Sequence, residues 1–273
     1  VTDHHTEQRT ALVTGATSGL GRAVAAALAG QGLRVLVHGR DRARTEALAA
    51  ELPGARPLVA DLGRLADVRD LAGRIRETQP ALHVLVNNAG VGAGAPPQLD
   101  RELSPDGHEL RFAVNYLAPV LLTRLLLPLL AASAPARVVN VGSAGQSPID
   151  PRDLEFTRGY DGMQAYTRSK FALAAFTVDL AAEPEAAGVH VNCLHPATFM
   201  ATSMVTEAGI SPMNPVEAGV EPVMSLATGR TGGTVTGRYF NGTQVSSPHP
   251  GVGDAAARAA LAAATAPLLA PYL

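Results

Sequence analysis

The sequence predicts an α/β fold: a doubly wound parallel sheet of about seven strands, flanked by helices, in one domain covering residues 1–273. Three observations lead there. From Thr10 onward, short apolar runs alternate with longer Ala- and Leu-rich stretches. The short runs are apolar and β-branched on both faces, as strands covered by helices on each side require. No internal repeat, linker or low-complexity tract divides the chain, and strict alternation of strand and helix implies right-handed crossovers.

Each element has its own signal. ALVTG (11–15) runs into a glycine-rich turn, and a helix starting near Gly21 follows and stops near Gly32. RVLVHG (34–39) and ARPLVAD (55–61) are the next two strands; LADVRDLAGRIRETQP has apolar residues at helical spacing and ends at Pro80. HVLVNNAG (83–90), ARVVNVGS (136–143), VHVNCLHP (189–196) and GRYFNGT (237–243) complete the sheet. Residues 197–232 mix Gly and Pro with no clean period and are expected to form a partly mobile lid over a substrate. SSPHPGVG reads as loop and the Ala-rich DAAARAALAAATAPLL as a helix, while residues 1–9 are polar and read as a flexible tail.

Composition excludes several function classes. With 22 basic and 24 acidic side chains the formal charge is −2, so no broad cationic surface exists for nucleic acid or anionic lipid. Cys193 is the only cysteine, which rules out an internal disulfide or a thiolate metal cluster and suits a reducing, cytoplasmic setting. The N-terminus lacks the apolar core of a secretory signal. LAPVLLTRLLLPLLAASA (117–134) is apolar enough to suggest a membrane span, but Arg124 lies near its middle. A charge there costs roughly 2.5–3.5 kcal/mol on insertion scales, so a buried helix at a subunit contact is expected and no span. No metal site is expected; Asp3, His4 and His5 read as tail.

The turn after the first strand reads Thr14-Gly15-Ala16-Thr17-Ser18-Gly19-Leu20-Gly21. Glycines there let the backbone turn sharply and approach a pyrophosphate, whose charge is stabilised by free amides at the helix N-terminus. The second strand ends His38-Gly39-Arg40, with glycine where an NAD-preferring site places a carboxylate for the ribose 2′-hydroxyl. Arg40 can instead pair with a 2′-phosphate, so NADP(H) is favoured over NAD(H). Asp41, one residue later, is an acid within reach of the same ribose.

The spacing Gly-x3-Gly-x-Gly resembles the TGxxxGxG of the short-chain dehydrogenase/reductase family, and further motifs extend the likeness over nearly the whole chain. Asn87-Asn88-Ala89-Gly90 resembles its NNAG signature; SPDGHELRFAVNYLAPVLLT (104–123) and DLEFTRGYDGMQAYTRSKFALAAFT (153–177) resemble its retinol-dehydrogenase-like branch. The resemblance implies a Rossmann-type fold and a cofactor site made by Gly15, Thr17, Ser18, Gly19, Leu20, Gly21, Arg40, Asp61, Leu62, Asn88, Ala89, Gly90, Tyr166, Lys170, Pro196 and Thr198. It also implies Ser143 as the serine that donates to a substrate carbonyl and Asn115 as holder of a water linking Lys170 to solvent. A homodimer or homotetramer built through helices near 108–130 and 164–182 is implied as well.

Lys170 is the only lysine beside twenty-one arginines. In helical conformation it sits four residues after Tyr166 on the same face. A phenol with a pKa of about 10 is a sluggish proton shuttle at neutral pH, and a nearby ammonium can lower that value. A compact ammonium with rotatable donors could serve both the phenol and ribose hydroxyls, which a planar guanidinium cannot. Ser143 closes the fifth strand at its carboxyl end, where α/β sheets place ligands.

Two departures from the pattern bear on the pocket. Twenty-two residues lie between Ser143 and Tyr166, and Pro196-Ala197 stands where the family has Pro-Gly. Alanine lacks glycine's access to positive φ, so the backbone beside the nicotinamide is expected to differ, with Thr198 or Thr202 as its contact. His195 reads as structural. The sequence thus predicts an NADP(H)-dependent enzyme interconverting a carbonyl and an alcohol on a lipophilic small molecule, because Met163, Met200, Met204 and Met213 fall in the two pocket-covering segments. The alternative is non-redox chemistry on the same scaffold, such as dehydration, cyclisation or epimerisation, with the nucleotide as a structural ligand.

Overall fold

The computed structural model describes residues 8–230 and 233–273. The first seven residues of the expected tail, including Asp3, His4 and His5, lie outside the described residues, as do the last two of 197–232.

β1 (Thr10–Val13), β2 (Arg34–Gly39), β3 (Arg56–Val59), β4 (Val84–Asn87), β5 (Ala136–Val141), β6 (Val189–His195), β7 (Tyr239–Asn241) and β8 (Gln244–Ser246) form one sheet in the order β3-β2-β1-β4-β5-β6-β7-β8. All pairings are parallel except β7 with β8. The eighth strand is missing from the sequence reading: it has three residues, all exposed, and so carries no burial pattern.

Side-chain alternation sends Ala11 and Val13, Val35 and Val37, and Val84 and Val86 to one face of the sheet, and Leu12, Leu36 and Leu85 to the other. Helices α1 (Gly19–Gly30), α2 (Arg42–Glu51) and α8 (Val220–Thr228) close the first face. The second is closed by α3 (Leu65–Thr78), α5 (Ala118–Ala132), α6 (Gly162–Ala181) and α9 (Ala255–Leu269). Helix α1 begins at Gly19, two residues before the expected start. A short α4 (Leu110–Phe112) and one π-helical turn, Ala113–Leu117, run directly into α5. The continuous helix Leu110–Ala132 is long and apolar enough to cross a membrane, but 72 % of its apolar window is buried inside the fold. It is a core helix here.

The cover expected over 197–232 divides in two. Residues up to Gly219 hold the short α7 (Ser203–Glu207) and a single 3-10 turn, whereas α8 buries Val223, Met224, Leu226 and Ala227 in the main core. The stretch Val220–Thr228 is therefore structural core.

Of the two helices that the resemblance places at a subunit contact, α6 is covered in part by the chain itself. Phe171–Thr177 in α6 is buried on every face. α9 lies against α6, with Leu261 and Leu269 in the core and the Tyr116 and Thr265 hydroxyls hydrogen-bonded at 3.2 Å. Arg258 pairs with Asp179 at 2.6 Å from the same side. An Ala-rich helix can approach closely, which explains how this sequence packs there with so few large side chains.

Candidate active site

The sheet order reverses between β1 and β4, and the loops leaving their carboxyl ends open the crevice where doubly wound sheets bind ligands. Gly15 and Gly19 hold φ of +63° and +50°, a region that L side chains rarely adopt. A Cβ on Gly15 would lie 2.8 Å from Ala89 Cα, and one on Gly21 would strike the Gly15 carbonyl and the Asn88 amide. The loop is thus bare backbone pressed against the β4 turn. The Thr14 hydroxyl accepts from the amides of Asn88 and Ala89, both at 3.0 Å, and Asn88 Nδ2 donates back to the Thr14 carbonyl at 2.8 Å. Asn88 therefore acts as a buttress of the cradle.

Beneath the loop lies His38, which no sequence motif singles out. Its Nδ1 accepts from the Gly15 amide at 3.3 Å and its Nε2 faces the Ala60 carbonyl at 3.1 Å. Burial pushes the imidazole down to about 4, so it is neutral with its proton on Nε2.

At the end of β2, a Cβ on Gly39 would come within 2.5 Å of both Thr17 and Thr45, so no carboxylate can occupy that position. Asp41 is spent as the N-cap of α2, accepting from the Arg44 amide at 3.0 Å. Arg42 pairs with Glu46, whereas among the described residues nothing engages the exposed Arg40 guanidinium. Arg44, unmarked in the sequence reading, reaches back to the Thr17 carbonyl at 3.4 Å. On the β3 side, Asp61 Oδ1 is fixed by the Gly63 amide at 2.9 Å and Leu62 is buried beside it.

Ser143, Tyr166, Lys170 and Asn115 converge around the ends of β4 and β5. The Ser143 hydroxyl accepts from the Gly145 amide at 3.1 Å and lies near enough to the Tyr166 phenol to draw its pKa down. Lys170 is buried one turn along α6, its Nζ donating to the Val141 carbonyl at 2.9 Å and lying 5.7 Å from the Tyr166 ring centroid. A Cβ on Gly90 would lie 3.3 Å from Asn115 Oδ1, 3.5 Å from Met204 Cε and 3.6 Å from Lys170 Nζ.

The electrostatics reverse one expectation. Burial raises the Tyr166 phenol above its ordinary value and Ser143 works against that rise. The ammonium is turned onto the Val141 carbonyl, and burial pushes it down to about 8. Desolvation, not the neighbouring charge, sets the phenol in this arrangement.

Asn115 stands in the π-helical turn, a local irregularity often found at functional sites. Its amide donates to the Val91 carbonyl at 2.9 Å and the Ser169 hydroxyl at 3.0 Å, and its Oδ1 accepts from the Val91 amide at 2.8 Å. Both amide protons are used, so the side chain clamps the loop after β4, and the expected water-holding role does not belong to its donors. The same loop is held by buried Arg111, which donates to the carbonyls of Gly92 and Ala93 and pairs with buried Glu109 and with exposed Glu102. Tyr160 joins Glu109 at 3.0 Å. That network links the long insertion before Tyr166 to the pocket floor, and its charges are too scattered along the chain to be read as a unit.

After β6, Pro196 is buried and the Thr198 hydroxyl is held by His195 Nε2 at 3.0 Å. His195 is thus a structural partner, as the sequence suggests. Ala197 keeps negative φ; the left-handed residue is Phe199, at φ 43°. A Cβ on Gly19 would meet Thr202 Cγ2 at 3.2 Å, which places Thr202 rather than Thr198 against the glycine loop.

A bare-backbone cradle at the switch point, next to a serine, tyrosine and lysine on β5 and α6, defines a nucleotide-dependent enzyme of the Rossmann type. Residues 9–211 match the family model "short chain dehydrogenase", and the chain belongs to that family. Within it the chain is close to the retinol-dehydrogenase-type members: it is 34 % identical over 272 residues to retinol dehydrogenase 13 of Homo sapiens, covering 90 % of this chain and 80 % of that one. An uncharacterised protein of Mycobacterium paratuberculosis shares the fold at TM-score 0.78 and 30 % identity, over 96 % of this chain and 93 % of its own. The Pseudomonas aeruginosa RhlG/NADP active-site complex aligns at TM-score 0.69 and 30 % identity, over 85 % and 94 %. The chain is thus an oxidoreductase of the short-chain type acting on a small organic substrate through a nicotinamide-cofactor site.

Proposed function

We propose that the chain is an NADP(H)-dependent oxidoreductase that interconverts a ketone or aldehyde with an alcohol on a lipophilic small molecule. The observation that carries this reading is the convergence of Ser143 and Tyr166 with Lys170, which is buried one helical turn from the phenol and donates to the Val141 carbonyl beside the glycine cradle.

The residues present fit the cofactor. Free amides from Gly15 to Gly21, among them Thr17, Ser18, Gly19 and Leu20, would hold the pyrophosphate, and a side chain in place of Gly15 or Gly21 would fill that space. Arg40, assisted by Arg44, would take a 2′-phosphate; Asp61 and Leu62 would border the adenine; Ala89, Gly90 and Lys170 would meet the ribose, and Pro196 with Thr198 or Thr202 the carboxamide. When bound, the nicotinamide supplies a hydride to the carbonyl carbon or removes one from the alcohol.

Ser143 donates a hydrogen bond to the carbonyl oxygen and stabilises the charge that develops there. Tyr166 delivers a proton to the same oxygen, and Lys170 offsets the negative charge left on the phenol. Asn115 and Arg111 keep the floor of the pocket still. Met204 packs against Gly90 and Gly92, forming an apolar wall beside Lys170, and exposed Phe199 and Met213 lie on the same covering segment. By contrast, Met200 packs into the core behind Pro196 and Gly219.

A panel of carbonyl compounds, followed by the absorbance of reduced nicotinamide, tests the reading. Bulky apolar ketones are expected to turn over with higher kcat/KM than small polar ones; the reverse order rejects the lipophilic substrate, and product formed without a change in absorbance rejects redox chemistry. For the cofactor, Arg40→Ala is expected to weaken NADPH binding by about 10–100-fold, the worth of one or two charge-assisted hydrogen bonds, while NADH changes little. Fluorescence titration of both cofactors measures this; an unchanged NADPH to NADH ratio removes the preference.

A further inference from the structure

Support for Ser143 comes both from its own turn and from the far end of the chain. Its carbonyl accepts two hydrogen bonds, from the Tyr239 hydroxyl on β7 and from Gln146 Nε2, both at 2.9 Å. Tyr239 is buried and its position is fixed by pairing with Cys193 in the sheet. Gln146 is anchored at its other end, where Oε1 accepts from the His249 amide at 3.0 Å. His249 in turn stacks edge-on against Phe171, the residue after Lys170, with ring centroids 5.6 Å apart. The next residue, Ser147, is tied to Thr167 through both its amide and its hydroxyl. The turn from 143 to 147 is therefore held from β7, from α6 and from the segment after β8.

The Gly145 amide donates to the Ser143 Oγ. With that lone pair occupied, the hydroxyl proton is left to point outward. The direction it takes depends on the Ser143 peptide plane, and the two donors on the carbonyl set that plane.

We infer that Gln146 is a positioning residue: by gripping the Ser143 carbonyl from an anchor on the His249 amide, it aims the Ser143 hydroxyl at the reacting oxygen and at Tyr166. The inference rests on the role proposed above for Ser143. Gln146 acts through Ser143, whose carbonyl it grips. The C-terminal segment from His249 is thereby wired to the reaction although it lies behind the pocket.

Two substitutions separate this role from simple packing. Gln146→Glu keeps the acceptor for His249 and loses the donor to Ser143; Gln146→Ala loses both. Each is expected to lower kcat by about thirtyfold, within the roughly hundredfold that a misplacement of about 1 Å can cost. The dissociation constant of NADPH and the melting temperature stay near wild type. In alcohol oxidation, which needs the phenolate as base, the ascending limb of the kcat–pH profile moves to higher pH, because the phenol loses the Ser143 interaction that opposes its burial; Lys170 and Tyr239 are its titratable neighbours.

His249→Pro removes the amide donor at a φ of −51°, which proline accepts, and is expected to lose several-fold more activity than His249→Ala, which keeps it. Equal losses in the two would overturn the anchor. Retention of more than a third of wild-type kcat by Gln146→Glu would overturn the positioning role. A crystal structure of Gln146→Ala decides the matter even if no redox turnover is found: a Ser143 hydroxyl displaced from Tyr166 supports the inference, and one left in place overturns it.

Discussion

Replacing Tyr166 with phenylalanine is expected to lower kcat by about a thousandfold, within the range that a positioned general acid contributes. The substitution removes one hydroxyl and keeps the ring that packs in α6. The NADPH dissociation constant should stay within about fivefold, since a single peripheral hydrogen bond is worth about 1 kcal/mol. Stopped-flow measurement of the first turnover with the best ketone from the panel gives the chemical step directly. If more than a tenth of the wild-type rate survives, the proton comes from elsewhere and the proposed mechanism is wrong. Adding Ser143→Ala to Tyr166→Phe should cost much less than Ser143→Ala alone, because groups that act on one oxygen are strongly non-additive.

The second large effect concerns Lys170, where stability and activity should move in opposite directions. Burial holds its ammonium near 8 against an ordinary value of 10.5. At about 1.4 kcal/mol per pH unit, keeping that charge in the fold costs roughly 3 kcal/mol. The sign follows from the folded value lying below the unfolded one: the penalty is fully present below pH 8 and disappears as the pH rises from about 8 towards 10.5. Lys170→Met removes the penalty but also the bond to the Val141 carbonyl, leaving a net gain of roughly 2 kcal/mol at pH 7. That corresponds to a melting temperature raised by about 5 °C for a chain of this size. The difference from wild type should shrink between pH 8 and pH 10, while turnover falls by at least about a hundredfold at every pH. A variant that melts no higher than wild type at pH 7 contradicts the assigned burial cost.

Much of this arrangement is legible in the amino-acid order because it is local. The glycine turn, the β-branched strands and the four-residue spacing of Tyr166 and Lys170 each depend on neighbours in sequence. What escapes sequence reading is set by partners far along the chain. His38 lies beneath Gly15, Gln146 is anchored at residue 249, and Arg111 gathers carbonyls from the loop after β4. Nothing in the residues around His38, Gln146 or Arg111 marks them out, since only the fold brings their partners near. The direction of the Tyr166 shift is of the same kind: the sequence shows a cation at the right spacing, whereas the balance between its charge and desolvation depends on how deeply both groups are enclosed. The eighth strand and the closing role of α9 also carry weak signals, because a three-residue exposed strand and an alanine helix have almost no hydrophobic pattern.

The closure of α6 by the chain's own tail carries a cost in tolerance to change. A deletion removing residues 248–273 would strip the shelter from a greasy stretch of α6 that is otherwise sealed on all sides, and such bare surfaces drive aggregation. Shortening this protein from its carboxyl side should therefore yield insoluble material before it yields a slower enzyme.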